Sequence, residues 1–427
     1  MIAAGLLLLG AALLGAPLFA VIAGGALLGF SRAGVDLSVV AIEIYRLAEM
    51  PVLLAIPLFT LAGYLLGESQ APRRLVRVTN ALLGWLPGGL AMVALVACAL
   101  FTAFTGASGV TIVALGSLLY PALREAGYPD RFSLGLVTTS GSLGLLFAPS
   151  LPLILYGVVA QQLGVGSPVR IDDLFRAGLL PGLLMLALLS GWSAWAGRNR
   201  DRPPQRFSWR EALASLRDSA WEIPLPFLIL GGIYSGTFAV SEAAAVTALY
   251  VLAVEVGIRR EIALTRLPAV MRESMVLVGG VLLILGASLA STNYMIDAEV
   301  PTRLFEAIRA HVDSRLAFLV LLNLFLLVLG TLLDIFSALV IVIPIILPVA
   351  LGYDIHPVHL GIVFLANMQI GYFTPPVGMN LFIASYRFEK PVLELYRATL
   401  PFFFLLLAAV LVLTYWPWLS LVLPGLG

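Results

Sequence analysis

The chain has 427 residues, 60% of them hydrophobic and 11% charged, with a mean hydropathy of +1.02 and a formal net charge of +1. Soluble domains carry about 25% charged and ~45–50% apolar residues, so a water-soluble enzyme is excluded. Near-zero net charge also argues against a nucleic-acid binder, which shows a basic patch or stripe, and the single Cys98 allows neither an intrachain disulfide nor a cysteine metal cluster.

A membrane-spanning helix needs about 20 residues with few or no charges. Residues 1–31 carry none. They lack the positively charged start of a cleaved signal and exceed its ~7–15-residue apolar region, so they read as retained: one tilted span, or a span and a second helix broken at Pro17. Residues 50–67 form the next uncharged run. The stretch 70–84 is amphipathic instead: Leu75, Val78, Ala81 and Leu82 against Arg73, Arg74 and Arg77 fit a helix lying in the interface.

Residues 78–123 are 46 uncharged positions, too many for one span, and Phe104-Thr105-Gly106-Ala107-Ser108-Gly109 interrupts them. The 14 residues 110–123 reach roughly 21 Å at 1.5 Å each, short of a ~30 Å hydrocarbon core. A re-entrant hairpin over about 88–122 with its tip at Gly106 to Gly109 accounts for both facts, because irregular backbone at membrane depth is tolerated only inside protein or beside water. Glycine there permits close backbone approach, and Thr105, Ser108 and Thr111 offer oxygen ligands; Gly and Ser also serve ordinary helix packing. In the run 132–169, Ala148-Pro149-Ser150-Leu151-Pro152 follows Thr138-Thr139-Ser140-Gly141-Ser142 and predicts a broken helix over about 131–160.

After the run 177–197, the segment Arg198–Asp218 sets six arginines (Arg198, Arg200, Arg202, Arg206, Arg210, Arg217) against Asp201, Glu211 and Asp218. The positive-inside rule makes it a cytoplasmic connector, and it is too short to bury a core of its own. Beyond it, the runs 223–254 and 316–353 are each interrupted by one acid, Glu242 and Asp334. Glu242 reads as a helix cap. Residues 274–296 form a span, and 300–312 is amphipathic like 70–84. A second hairpin is predicted over about 315–352. The run 355–386 is broken by Gly371-Tyr372-Phe373-Thr374-Pro375-Pro376-Val377-Gly378-Met379-Asn380, predicting a broken helix over about 357–386, and 398–427 is the last run. Together these supply about ten or eleven crossings at ~20 residues each. His311, His356 and His359 flank apolar runs and read as interfacial.

The connector divides two halves, 1–197 and 219–427, that echo each other. Ala71-Pro72-Arg73-Arg74-Leu75-Val76 parallels Val300-Pro301-Thr302-Arg303-Leu304-Phe305; Ala126-Gly127-Tyr128 parallels Leu351-Gly352-Tyr353; Ala148-Pro149-Ser150 parallels Thr374-Pro375-Pro376, all at separations of 225 to 229. Inverted repeats of this kind build secondary transporters, with the site at the midplane between discontinuous helices. Asp334 stands out: it sits mid-way along an apolar stretch, opposite Ser108 in the repeat, with no basic residue nearby in sequence. A central Asp costs about 2.5–3.5 kcal/mol on insertion scales, and a bound cation would neutralise it. The expectation is an all-α polytopic membrane protein of two inverted repeats, each with a re-entrant hairpin and a broken helix. No arginine sits in the broken segments, so an anionic substrate would be held by half-helix N-termini, hydroxyls and amides.

Taken together, Gly106-Ala107-Ser108-Gly109, Gly127-Tyr128, Ala148-Pro149-Ser150, Gly236-Thr237-Phe238 to Glu242-Ala243-Ala244, Gly330 to Asp334, and Thr374-Pro375-Pro376-Val377-Gly378 resemble the large membrane subunit of TRAP transporters, the tripartite ATP-independent periplasmic family. The resemblance covers essentially the whole chain and departs from the family pattern at Ala107, Ala148 and Ser241. It implies an importer of small organic acids such as C4-dicarboxylates or sialic acid, coupled to Na+ without an organic cofactor. It further implies an elevator-type motion of a transport domain against a scaffold. The expected partners are a separately encoded four-span membrane subunit, a periplasmic substrate-binding protein and membrane lipid, in a bacterial or archaeal inner membrane. By position, Gly106, Ser108, Thr111, Asp334, Ser337, Thr374, Pro375 and Gly378 become the sodium candidates, and Ser140, Ser142, Ser150, Asn367 and Asn380 the substrate-contact candidates. A stand-alone symporter is the nearest alternative. An intramembrane hydrolase using Ser108, or Asp334 with Asp354, is disfavoured, because Val110 occupies the fifth position of a Gly-x-Ser-x-Gly elbow and no histidine lies near Ser108. An ion channel suits paired hairpins less well than alternating access.

Overall fold

The structure is a computed structural model that describes residues 2–86, 88–197 and 207–426. Among these residues every regular element is helical. Helices α1 (Ile2–Leu13) and α2 (Leu18–Ala33) are parted at Pro17, whose fixed φ suits a helix start. Next come α3 (Ser38–Ala48) and α4 (Ala55–Glu68), the latter entered through a tight turn at Pro51–Leu54. The amphipathic stretch forms α5 (Ala71–Leu83). Three helices follow, α6 (Gly89–Thr105), α7 (Ser108–Ala114) and α8 (Gly116–Glu125), then α9 (Asp130–Ser140), α10 (Leu151–Leu163) and α11 (Ile171–Ala196). The last twelve residues of the connector carry α12 (Trp209–Asp218); its first nine, with Arg198, Arg200, Arg202 and Arg206, lie outside the described residues.

The second half runs through α13 (Pro224–Tyr234), α14 (Val240–Leu252, widening into a looser turn at Ala253–Ile258), α15 (Leu267–Asp297) and the surface helix α16 (Val300–Arg309). It continues with α17 (Arg315–Leu332), α18 (Ile335–Leu351), α19 (Pro357–Gly371), α20 (Met379–Phe388), α21 (Val392–Tyr415) and α22 (Trp418–Leu421). Glu242 does cap α14, accepting from the Ala239 N–H at 2.8 Å.

Among the described residues six helices are long and apolar enough to cross a membrane, or seven if the bent pair α9–α10 counts as one span. Others of the ten or eleven expected segments are shorter: α6 and α18 have 17 residues each and extend about 26 Å, short of a ~30 Å core.

The largest core runs through α6 to α11 and α17 to α21 and takes in buried residues of α4 and α13 to α15, such as Phe59, Ile229, Ala243 and Leu285. A smaller cluster lies between α4, α14 and α15, and α2 and α3 pack on α15. Inside the larger core the halves exchange partners. Helix α9 packs on α21 and α19 on α11, while α7 packs on α20 and α18 on α10. Each contact thus has a counterpart when the halves are swapped, as an inverted repeat requires. The surface helix α5 lies between α6 and α12 and is joined by buried charge to the segments before α13 and after α14: Arg74 pairs with Glu222 at 2.6 Å, with Glu255 at 3.6 Å and with Glu261.

Candidate functional site

The first hairpin turns at Gly106, in the left-handed conformation at φ 64°, with its N–H on the Thr102 carbonyl at 2.8 Å. A Cβ there would stand 2.5 Å from Leu151 Cδ1, so only glycine fits between the tip and the start of α10. Thr102 Oγ1 lies 2.7 Å from Thr111 Oγ1 and donates to the Gly141 carbonyl at 2.9 Å. Both arms of the hairpin are in this way tied to the break between α9 and α10. Ser108 opens α7 and is buried.

The second hairpin turns at Leu333 and Asp334, both extended. Asp334 is half-buried and caps α18: Oδ1 accepts from the N–H groups of Phe336 and Ser337 at 3.0 Å each, and Oδ2 accepts from the Ser337 hydroxyl. Among the described residues it has no basic partner. Helix α18 begins at Ile335 and α7 at Ser108, so the position equivalent to Asp334 is Ala107 rather than Ser108. Ala107 has no side-chain acceptor, which leaves the first hairpin uncapped and uncharged at the same place.

The second tip is bound to the break between α19 and α20. The Ile335 N–H donates to Tyr372 Oη at 2.7 Å and the Gly378 N–H to the Thr331 carbonyl at 3.1 Å. A Cβ on Gly371 would stand 2.5 Å from Gly330 Cα, so this junction requires glycine backbones in direct contact. Within the break, Thr374 Oγ1 returns to the Ile370 carbonyl at 2.8 Å, while Pro375, Pro376 and Val377 are exposed. The Asn380 N–H reaches the Tyr372 carbonyl at 2.8 Å. Sodium candidates from two separate stretches, Asp334 and Ser337 on one side and Thr374, Pro375 and Gly378 on the other, thus meet at one junction. Gly106, Ser108 and Thr111 lie at the other hairpin.

The five substrate-contact candidates are all buried. Ser140 donates to the Val137 carbonyl at 3.2 Å, Ser142 to the Gln369 carbonyl at 3.2 Å and Ser150 to the Leu145 carbonyl at 2.5 Å. Asn380 Nδ2 reaches the Thr138 carbonyl at 3.3 Å, so the breaks of the two halves are joined. Asn367 turns elsewhere: its Nδ2 donates to Asn323 Oδ1 at 2.7 Å, which also accepts from Thr414 at 3.2 Å. Asn323 and Thr414 were missed by sequence reasoning, although Asn323 is the one amide in the run 316–333. His359 is not interfacial. It is fully buried between Ser420 Oγ at 2.7 Å and the Thr414 carbonyl at 3.2 Å, because its helix start packs under the chain's end.

Around the breaks, six buried side-chain oxygens have no partner among the described residues: the hydroxyls of Thr105, Thr138 and Thr139 and the amide oxygens of Asn367, Gln369 and Asn380. Thr105 adjoins the first tip, Thr138 and Thr139 close α9, Gln369 closes α19 and Asn380 opens α20. A buried unsatisfied group costs about 1–3 kcal/mol, so such clusters call for a ligand or water. Hydroxyl and amide oxygens are ligands of the kind that suit hard cations. Among the described residues no cluster of three His, Cys, Asp or Glu side chains could hold a metal ion.

Paired re-entrant hairpins and broken helices whose polar atoms converge inside an apolar bundle define a polytopic membrane transporter. Residues 1–419 match the family model "Tripartite ATP-independent periplasmic transporter, DctM component", and the chain belongs to this family as a large permease component, not an enzyme. It is 36% identical over 386 residues to the C4-dicarboxylate TRAP transporter large permease of Pseudomonas aeruginosa, covering 90% of this chain and 89% of that one. It is 32% identical over 419 residues to the ectoine/5-hydroxyectoine TRAP transporter large permease of Ruegeria pomeroyi, covering 97% and 96%. The fold is similar to the crystal structure of the Alcanivorax borkumensis YdaH transporter, with a TM-score of 0.59, 16% identity and coverage of 88% and 87%. As the large component of a tripartite system, the chain works with a small membrane subunit and a periplasmic binding protein.

Proposed function

We propose that this permease imports a small organic acid, a C4-dicarboxylate or a related carboxylate, by sodium symport across a bacterial inner membrane. The observation that carries the reading is Asp334, a half-buried carboxylate at a hairpin tip whose neighbours donate hydrogen bonds but supply no positive charge. Sodium held by Asp334 and Ser337 with oxygens of Thr374, Pro375 and Gly378 balances that charge and joins the second tip to its break. Gly106, Ser108 and Thr111, with orphaned oxygens beside them, serve a sodium ion at the first tip. Substrate sits between the tips, its carboxylates facing the N-terminal ends of α10 and α20, where the helix dipole favours an anion. Ser140, Ser142, Ser150, Asn367 and Asn380 shape this site from behind.

Helices α6 to α11 and α17 to α21, joined across the halves, are the moving body, and α2, α3, α4 and α13 to α15 are the scaffold. Sodium and substrate shift the equilibrium between the two faces because they bind the closed tips better than the open ones. The small subunit, a separate four-span chain, extends the scaffold, and the binding protein delivers substrate.

Reconstitution of the chain with its small subunit and binding protein in vesicles tests the reading. Uptake of a labelled C4-dicarboxylate should follow an inward sodium gradient and stop when potassium replaces sodium. Equal uptake in potassium counts against sodium symport. Uptake by the chain alone, without binding protein, favours the stand-alone symporter.

A further inference from the structure

We propose that an anionic phospholipid is a bound component of this protein, its phosphate on Arg210 and Arg217 and one acyl chain between α5, α6 and α13. A groove of about 390 Å³ opens there, walled by Val78 and Leu82 of α5, Val96 and Leu100 of α6, and Ile223 and Phe227 around the start of α13. That volume lies within the ~300–1,000 Å³ of small-molecule pockets. Leu82, Leu100 and Phe227 are 40%, 38% and 73% exposed, so the groove is open to the bilayer. Its one acid, Glu222, is neutralised by Arg74 at 2.6 Å and Arg259 at 3.4 Å.

The groove adjoins a basic recess lined by Arg77, Arg210, Leu213, Arg217 and Asp218. Arg77 pairs with Glu211 at 2.9 Å and Asp218 at 3.1 Å, which presses α12 against α5. Arg210 and Arg217 are seven residues apart, on one face of α12, and pair with no acid among the described residues. Leu213 stands between them, 71% exposed, as an apolar contact for glycerol and the first methylenes. Ser219 follows Asp218 and lines the groove; its hydroxyl is buried without a partner, placing a free donor where recess and groove meet. Trp85, Trp209 and Trp221, 46%, 79% and 41% exposed, mark the headgroup level around this place. Unpaired arginines over an apolar cleft on the cytoplasmic side fit an anionic headgroup with its tail, whereas a zwitterionic lipid offers no net charge to match. A lipid here would touch the surface helix α5, the scaffold at α13 and the first hairpin arm α6 together.

Native mass spectrometry of the full chain with its small subunit, released from nanodiscs of phosphatidylglycerol and phosphatidylethanolamine in equal parts, tests the site. The wild-type protein should retain phosphatidylglycerol in preference, on the order of 30-fold for two surface arginines. The double variant Arg210→Gln/Arg217→Gln should lose the preference. Leu82→Trp, which fills the groove and leaves the arginines, should shed the retained lipid and decides the matter if the double variant does not fold. Equal retention of both lipids by the wild type overturns the proposal. So does displacement of phosphatidylglycerol by millimolar glycerol 3-phosphate, which would show a site for free phosphate esters.

Discussion

Asp334 caps α18 and, in the proposed function, also binds the cation, and Asp334→Asn separates the two roles. As a helix cap the carboxylate accepts from two backbone N–H groups and the Ser337 hydroxyl. Asparagine caps as well as aspartate, whereas alanine forfeits about 1 kcal/mol, within a range of ~0.5–2. As a cation ligand the residue contributes its charge, which asparagine lacks. A cation at a hundred times its dissociation constant stabilises the folded state by about 2.7 kcal/mol, or close to 3 °C for a chain of 427 residues. Thermal unfolding in detergent, in sodium chloride and in choline chloride at equal ionic strength, reads both roles. The Asn variant should match the wild type in choline and lose the sodium shift; Asp334→Ala should start about 1 °C lower and also lose it. In vesicles the Asn variant should show no sodium-driven uptake. An undiminished sodium shift in Asp334→Asn refutes the assignment of the carboxylate to the ion.

Replacing Pro375 and Pro376 with alanine should allow α19 and α20 to extend into the break, and the sodium concentration for half-maximal uptake should rise; an unchanged titration separates the break from ion binding. Gly63→Ala places a Cβ 2.6 Å from Thr105 Cα and 2.8 Å from the Phe104 carbonyl, at an overpacking cost of about 1–3 kcal/mol. Since the obstructing atoms are backbone, the variant should unfold at lower temperature than the wild type, and no change would mean that the first tip yields freely against α4. Arg74→Met leaves Glu222, Glu255 and Glu261 without their shared cation, a loss of about 3–5 kcal/mol. The yield of monodisperse protein should fall sharply, and adding Glu255→Gln should recover part of it.

The interruptions of the apolar pattern were legible because each breaks a local rule. Forty-six uncharged residues cannot make one span, and adjacent prolines between Thr374 and Val377 cannot continue a helix. The amphipathic stretches were legible for the same local reason, as α5 and α16. Relations between distant residues were not. Nothing local to Arg74 points to Glu222, Glu255 and Glu261, nor does Asn367 point to Asn323 and Thr414. The pairing of Asp334 with Ser108 missed by one position because a helix start is set by which N–H finds an acceptor, and Ala107 offers none. Hydropathy does not separate full spans from hairpin arms, because it records how apolar a segment is and not how deep it goes. Of the candidate site, the residue types and the two tips came from sequence, whereas the meeting of Asp334 with the break at Thr374 to Gly378 depends on Tyr372 and Gly371, which have no chemical signature.

The exchange of partners between halves bears on how the protein is made. Ser142, whose hydroxyl has only the nearby Thr139 carbonyl within its own half, meets the carbonyl of Gln369, 227 residues later, and the Thr138 carbonyl meets Asn380, 242 residues later. At ~5–20 residues per second the ribosome takes roughly 10–50 s to supply them. During that interval the first half stands with its polar break unfinished. Only when the last third of the chain has been made can the second half complete it.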